Sequence, residues 1–223
     1  LLNKSYRIPS SHHTLSHNVI KTIVGRREKE FEPRQEEGNI TWHRHSEEVS
    51  LSEGDWLLLS RTTRGAQQIE EEVRRRGHLY IYNGSKSIDS KVLEAVRLWE
   101  YLREGNKLSK EQVLLVYKHM MINSQVKYGY KTMPDGEEQI VSENENLGKS
   151  HRLRISTIHS AKGAQATNVM LLTDTMKRPY SMWRKIRTYE EDETRVFYVG
   201  LTRAINNIHL IHPMYSQGYA LPY

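Results

Sequence analysis

The 223-residue chain contains no cysteine, which excludes a disulfide framework and a thiolate metal site. It also lacks any apolar run near the roughly 20 residues that a membrane-spanning helix needs. Residues 1–10 do not have the layout of a signal peptide. We therefore expect no membrane partner. Because the chain does not begin with methionine, we expect it to be the middle of a larger protein.

Acidic residues are fewer than basic ones, with 27 Asp and Glu against 33 Lys and Arg, giving a formal net charge of +6. A basic balance favours a polyanionic partner, and DNA or RNA is the first candidate. Many soluble proteins are mildly basic, so the charge alone does not decide between a nucleic-acid partner and an ordinary solvated surface.

The spacing of apolar residues predicts an α/β domain in two pieces. Trp56 and the three leucines that follow it form a short apolar run that suits a buried parallel strand. A helix is predicted over residues 63–76, with Gly77 as its C-terminal stop. The other predicted strands are residues 38–45, 152–159, 168–173 and 207–212, and the other helices lie in residues 15–24 and 191–204.

A helical insertion is predicted between the two pieces. Its first helix ends at Gly105, and Ser109 with Gln112 forms a capping-box pattern for the next. Residues 123–150 are polar and contain a Pro-Asp-Gly turn signal. The predicted domain limits are therefore 1–77, 78–150 and 151–223. Residues 26–37, which are rich in charge, are predicted to form a surface loop.

Three short motifs are more specific than this periodicity. Residues 155–163 read Ile-Ser-Thr-Ile-His-Ser-Ala-Lys-Gly, and residues 193–204 read Glu-Thr-Arg-Val-Phe-Tyr-Val-Gly-Leu-Thr-Arg-Ala. Near the start, Tyr6 and Arg7 follow a serine. In this order the stretches resemble the fifth, sixth and fourth motifs of the UvrD/Rep branch of superfamily 1 DNA helicases.

The resemblance implies the C-terminal motor lobe of a helicase, with a RecA-like parallel sheet flanked by helices and interrupted by a small helical insertion. Such motors hydrolyse ATP with Mg²⁺ between two RecA-like lobes and act on single-stranded or partially duplex DNA. A bacterial or phage-type cytoplasmic protein of DNA repair or replication is expected. The Ser-Ala-Lys-Gly form resembles the branch that moves 3′ to 5′.

The resemblance also implies roles for individual residues at the nucleotide. Arg7 and Arg203 would be the catalytic contacts to the γ-phosphate, because a guanidinium is always charged and forks onto phosphate oxygens. Tyr6 would stack on the adenine. Gly163 and Gln165 would lie at the nucleotide. The plainer alternative for both arginines is a solvated surface charge.

In the fifth motif, the family loop faces the DNA backbone as well as the nucleotide. The resemblance makes Thr157, His159, Ser160 and Lys162 the candidates for DNA-backbone contacts. Arg61, in a segment that resembles an Arg-Thr-Asn stretch of the family, is assigned a structural role with an optional phosphate contact.

This sequence departs from the family at Gln165, where the family has a glutamate that binds the ribose hydroxyls. A glutamine keeps the carbonyl acceptor and loses the charge, so ribose recognition is expected to weaken or change. The phosphate-binding loop is also missing, since Gly148 lacks the required earlier glycine and position 143 is Glu143. Alone, the chain is expected to be inactive; the P-loop and the Mg²⁺ ligands are expected in a missing N-terminal lobe.

Several alternatives remain open at this point. The chain could be a nucleic-acid-binding module that kept the helicase fold without motor activity, or the helicase part of a helicase-nuclease. Residues 177–189 combine aromatic and basic side chains and suit either a base-stacking surface or a core edge. A metal site at His12, His13 and His17 is rejected, because no cysteine or carboxylate lies near them in the sequence.

Overall fold

A computed structural model describes residues 4–27, 31–122, 151–175, 186–213 and 218–221. In these ranges no helix is both long enough and apolar enough to cross a membrane.

Two predictions fall mainly beyond these ranges. The polar stretch 123–150 lies outside the described residues, and so does most of the aromatic and basic stretch 177–189.

Strands and helices alternate along most of the described chain. The elements are β1 Lys4–Pro9, α1 Ser10–Ile20, β2 Glu32–Arg34, β3 Asn39–His43, β4 Trp56–Ser60, α2 Thr63–Arg75, β5 Tyr80–Tyr82, β6 Ser85–Lys86, α3 Ser90–Arg103, α4 Lys110–Val116, a π-helical turn Tyr117–Ile122, β7 Leu153–Thr157, β8 Ala166–Leu172, α5 Ile186–Leu201 and β9 Ala204–Ile211.

The central sheet has seven strands among the described residues, in the order β3-β9-β8-β4-β7-β5-β6. All neighbouring pairs are parallel except β5 with β6. Strands β1 and β2 form a separate parallel pair. A mostly parallel sheet with helices packed on it is the predicted α/β architecture, and the predicted fold class is confirmed.

Strand β4 explains why both faces of the sheet must be covered. All five of its residues are buried, and successive side chains of a strand point to opposite faces. Leu57 and Leu59 enter a core shared with α1 and α5, whereas Trp56 and Leu58 enter a core shared with α2. The uninterrupted apolar run in the sequence is therefore the signature of a strand covered by helices on both sides.

The predicted helix signals at α2 and α4 are confirmed. The Thr62 hydroxyl accepts a hydrogen bond of 3.0 Å from the Gly65 amide at the start of α2. Past the end of this helix, Gly77 takes a φ of +73°, which a residue with a side chain adopts only with strain. Ser109 and Gln112 form the reciprocal capping box at the start of α4.

Two elements near the N terminus were not predicted as strands. Residues 4–9 form β1 although they read as a polar stretch, and residues 32–34 form β2 inside the predicted surface loop. Each strand is short and polar, so neither has an apolar alternation of its own. Their pairing with each other is what makes them strands.

The last helix and strand begin earlier than predicted. Helix α5 starts at residue 186 and ends at Leu201, and β9 starts directly at Ala204. No glycine or proline lies between Leu201 and Ala204, and Gly200 is still part of the helix. The helix ends there because Ala204 joins the sheet, where it pairs with Ala166 of β8.

The predicted insertion also contains part of the sheet. Strand β5 pairs with β7, so residues 80–82 belong to the central sheet and the described helices of the insertion begin only at Ser90. The predicted division of the chain into domains otherwise stays a prediction.

Two histidines meet on β3 and β9 near the carboxyl edge of the sheet. The Nε2 atom of His43 lies 3.0 Å from Nδ1 of His209, at hydrogen-bonding distance. The His209 ring also lies 5.1 Å from the Trp56 ring, centroid to centroid. Burial, followed by the neighbouring His43, lowers the pKa of His209.

We predict that the protein loses stability as the pH falls below about 7, partly through His209. An unfolded imidazole binds a proton at about pH 6.5, whereas the lowered pKa keeps the folded His209 neutral at that pH. The unfolded state therefore takes up more protons, and the free energy of unfolding falls until the pH passes the lowered folded pKa. His209→Gln should reduce this fall in urea unfolding experiments.

The matched control is His159→Gln, which makes the same change at an exposed position. A pH dependence that is the same in His209→Gln as in the unchanged protein would contradict the prediction.

Candidate nucleotide and DNA site

Arg203 lies in the turn between α5 and β9, where its side chain is half-buried. Its Nε donates to the Val199 carbonyl at 3.0 Å, and its Nη1 donates to the Ala164 carbonyl at 3.2 Å. The second bond joins the sixth motif to the loop of the fifth. Burial, followed by the charge of Arg7, lowers the pKa of Arg203.

Arg7 lies on β1, and its charge is close enough to Arg203 to lower the pKa of that residue. Its Nε is buried and has no hydrogen-bond partner. Among the described residues, neither arginine forms an ion pair with a carboxylate. Buried charges in proteins are ordinarily paired, so two neighbouring guanidinium groups without a counterion form a site suited to an anion.

The small β1–β2 sheet that carries Arg7 is attached to the start of β9. From β2, Arg34 donates through Nη2 to the Ile205 carbonyl at 3.0 Å and to Oδ1 of Asn206 at 3.2 Å. The attachment keeps Arg7 on the side of the sheet where Arg203 lies.

Tyr6, next to Arg7, presents its ring to solvent, with 78% of its surface exposed. Only the Lys4 ammonium lies over the ring among the described residues, at 5.7 Å from the centroid. An exposed aromatic ring is a suitable stacking surface for a base.

The loop 163–165 holds the two remaining candidates for nucleotide binding, Gly163 and Gln165. Gly163 has a φ of +87°, and open space surrounds the position where a side chain would begin. Gln165 is exposed, and the amide of Ala166 donates to the Arg203 carbonyl at 3.2 Å. The structure therefore brings Arg7, Arg203 and the loop before β8 together.

The proposed DNA contacts lie on the turn that follows β7. Thr157 donates through its hydroxyl to Oγ of Ser160 at 3.0 Å and accepts from the Ser160 amide at 3.3 Å. Thr157 thus stabilises the turn, while the hydroxyl hydrogen of Ser160 remains available to a phosphate. His159, Ser160 and Lys162 are exposed.

The segment from Thr157 to Gln165 runs from one edge of the sheet to the other. Thr157 ends β7 at the carboxyl edge, whereas Gln165 precedes β8 at the amino edge, and both strands run parallel to β4. The DNA candidates and the nucleotide candidates are separated by one short turn, which connects the two groups mechanically.

Comparison with known families agrees with the motifs. Residues 136–213 match the family model described as UvrD-like helicase C-terminal domain. This part of the chain is therefore similar to a UvrD-like helicase C-terminal domain. The match includes Thr157, Gln165 and Arg203, but it begins only at residue 136 and therefore does not include the N-terminal strand that carries Arg7.

Among solved structures, the chain is similar to the C-terminal domain of a possible DNA helicase from Lactobacillus plantarum WCFS1. The two are 8% identical with a TM-score of 0.42, and the alignment covers 94% of this chain and 88% of the other. Comparison with curated proteins gave no match.

Sequence reasoning missed a buried ion pair that holds the sixth motif in place. Arg61 lies directly after β4, and its Nε and Nη2 donate to both carboxylate oxygens of Glu193 at 2.6 to 3.0 Å. The side chains are only 14% and 5% exposed. The sequence indicated a structural role for Arg61, but nothing in it identified the partner 132 positions away.

The C-terminal residues also support α5 in a way that the sequence did not indicate. Tyr219 stacks on Phe197 with 4.3 Å between ring centroids, and its hydroxyl donates to Thr194 at 2.9 Å. Leu221 is buried in the same core. Helix α5, which leads to Arg203, is thus held by Arg61 and by the C-terminal residues.

We predict that Arg61→Leu lowers the free energy of unfolding by about 3–5 kcal/mol, because it leaves the Glu193 carboxylate buried without a partner. Urea unfolding measures this change. The control is Arg75→Leu, which breaks an exposed pair with Glu47 and should cost less than about 1 kcal/mol.

A second variant separates charge from packing. Arg61→Leu combined with Glu193→Leu removes both charges and should be more stable than Arg61→Leu alone. A double variant that is less stable than the single one would contradict the ion-pair explanation.

Proposed function

We propose that this chain is the second motor lobe of an ATP-dependent DNA helicase or translocase. The similarity of residues 136–213 to the UvrD-like helicase C-terminal domain supports a helicase motor lobe. The observation that carries the finer proposal is the pair of arginines, Arg7 and Arg203, which lie together beside the loop 163–165 and have no carboxylate partner among the described residues.

In the proposed mechanism the phosphates of ATP and its Mg²⁺ are held by a separate phosphate-binding lobe of the complete protein. Closure of the two lobes brings Arg7 and Arg203 to the γ-phosphate. Guanidinium donors that meet the transferring phosphoryl group stabilise its charge, and such an arginine typically contributes about 10³–10⁵ in rate. Arg203 still has its Nη2 donors to offer, since its two hydrogen bonds use Nε and Nη1.

The remaining candidates bind the rest of the nucleotide in this proposal. Tyr6 stacks on the adenine, Gly163 gives the loop the turn that it needs, and the Gln165 side chain accepts a hydrogen bond from a ribose hydroxyl. Since the glutamine is neutral, this last bond is weaker than one to a carboxylate.

On the DNA side, we propose that the exposed groups of the turn after β7 bind phosphates of single-stranded or partially duplex DNA. His159, Ser160 and Lys162 supply the donors, and Thr157 holds the turn in shape. Movement from 3′ to 5′ is part of the proposal and rests on the resemblance of the Ser-Ala-Lys-Gly sequence alone.

Gln165 is the observation that favours a second candidate function, a DNA-binding module without motor activity. The two candidates differ in one measurable property. A motor hydrolyses ATP faster when single-stranded DNA is added, whereas a binding module shows no turnover with or without DNA.

We predict that Arg203→Ala abolishes DNA-stimulated ATP hydrolysis in the complete protein. Turnover should fall by about 10³-fold or more because the γ-phosphate loses an arginine, while the affinity for ATP changes much less. Steady-state ATPase assays with single-stranded DNA, together with ATP binding, measure both effects.

The matched control is Arg195→Ala on α5, the helix that precedes Arg203. Arg195 is exposed and pairs with Glu191 and Asp192, so its loss should leave turnover near that of the unchanged protein. DNA-stimulated turnover that survives Arg203→Ala would exclude Arg203 from the γ-phosphate. No turnover in the unchanged protein would support the binding module instead.

We also predict that Lys162→Ala weakens the affinity for single-stranded DNA and makes it less dependent on salt. Loss of one phosphate contact should lower the slope of log K against log salt by about 1. Fluorescence anisotropy across a salt series measures it. Lys86→Ala, at an exposed position on the far edge strand β6, is the control and should leave the slope unchanged. Equal slopes for both variants would count against this contact.

A further inference from the structure

Two arginines hold consecutive main-chain carbonyl groups of the loop before β8. Arg203 donates to the Ala164 carbonyl at 3.2 Å, and Arg154 of β7 donates through Nη2 to the Gln165 carbonyl at 2.8 Å. Arg203 is one of the candidate nucleotide contacts and lies in the turn before β9, whereas Arg154 belongs to strand β7 of the sheet. The fifth motif therefore has a support that lies outside the motif sequences.

Arg154 is itself held by a carboxylate. Its Nη2 lies 3.0 Å from Oδ1 and 2.9 Å from Oδ2 of Asp55, the residue before β4. The Asp55 carbonyl accepts from the amide of Asn168 at 3.1 Å and from its side chain at 3.3 Å. Since Asn168 belongs to β8, the loop is tied through Arg154 and Asp55 to the strand that it enters.

This arrangement contributes little to stability but defines a position. The side chains of Arg154 and Asp55 are 33% and 48% exposed, and ion pairs near the surface add little to the free energy of folding. What the two side chains do is fix the Gln165 peptide at a definite place relative to β4 and β7.

We propose that Arg154, anchored by Asp55, is a positioning residue for the nucleotide. It holds the Gln165 backbone so that the side chain of Gln165 meets the ribose. The role rests on the proposed function. The contact of the Arg203 guanidinium with the γ-phosphate competes with the hydrogen bond from Arg203 to the Ala164 carbonyl. Arg154 then provides the remaining side-chain hold on the 164–165 carbonyls.

The test compares Arg154→Ala, Gln165→Ala and the double variant in the complete protein, by DNA-stimulated ATP hydrolysis. Arg154→Ala should raise KM for ATP by about threefold to tenfold, the loss expected for one positioned hydrogen bond, and leave kcat within about twofold. The preference for ATP over 2′-deoxy-ATP should fall. The double variant should be no worse than Gln165→Ala alone, because both changes remove the same contact.

Controls separate positioning from structure. Arg75→Ala breaks another exposed arginine–carboxylate pair and should leave KM and the ATP preference unchanged. Arg154→Ala should shift Tm by less than about 4 °C. If Arg154→Ala folds poorly, Arg154→Lys keeps one donor and should give a KM between those of the unchanged protein and Gln165→Ala.

Three results would overturn this role: an unchanged KM in Arg154→Ala, additive effects in the double variant, or a fall in kcat and Tm together without a change in ATP preference. Arg203→Ala, measured in the same series, separates the two proposals. If turnover depends on Arg203 but not on Arg154, only the positioning role fails. If the unchanged protein shows no turnover, the proposed function fails and the positioning role fails with it.

Discussion

The parallel pairing of β8 with β9 is the constraint on which the candidate site depends. Ala166 and Ala204 are opposite each other at the start of this pair. Because both strands are buried and carry core residues on both faces, a shift in register would move apolar side chains out of the cores. The pairing therefore places Gln165, the residue before β8, and Arg203, the residue before β9, at the same edge of the sheet.

The candidate site places two positively charged arginines close together, and the rest of the fold must offset the cost of their repulsion. Arg203 is half-buried, Arg7 lies near it, and the described residues supply no carboxylate to either. By contrast, Arg61, which lies near the carboxyl edge of the sheet and contacts α5, has a full bidentate partner in Glu193. The same type of side chain thus holds the helix in one place and remains available to an anion in the other. The difference is the presence or absence of one buried carboxylate.

Local signals predicted those elements whose causes are local. The buried strand β4 follows from an uninterrupted apolar run, α2 follows from apolar spacing with a terminal glycine, and α4 follows from a capping box. Strands β1 and β2 were missed because they have no apolar alternation and exist only through pairing with each other. The end of α5 was misplaced because strand pairing, rather than a glycine or proline, ends the helix.

For function, the sequence by itself determined the chemical types and their order: a tyrosine and an arginine near the start, a hydroxyl-rich turn with a lysine, and a second arginine at the end of a helix. Their helicase-like order follows from motif resemblance alone. Only the tertiary structure decided which residues contact one another. Arg61 contacts Glu193, Arg203 contacts Ala164 and Arg154 contacts Asp55, and each of these contacts joins positions far apart in the chain. Such contacts depend on strand order and register, which no short stretch of sequence encodes.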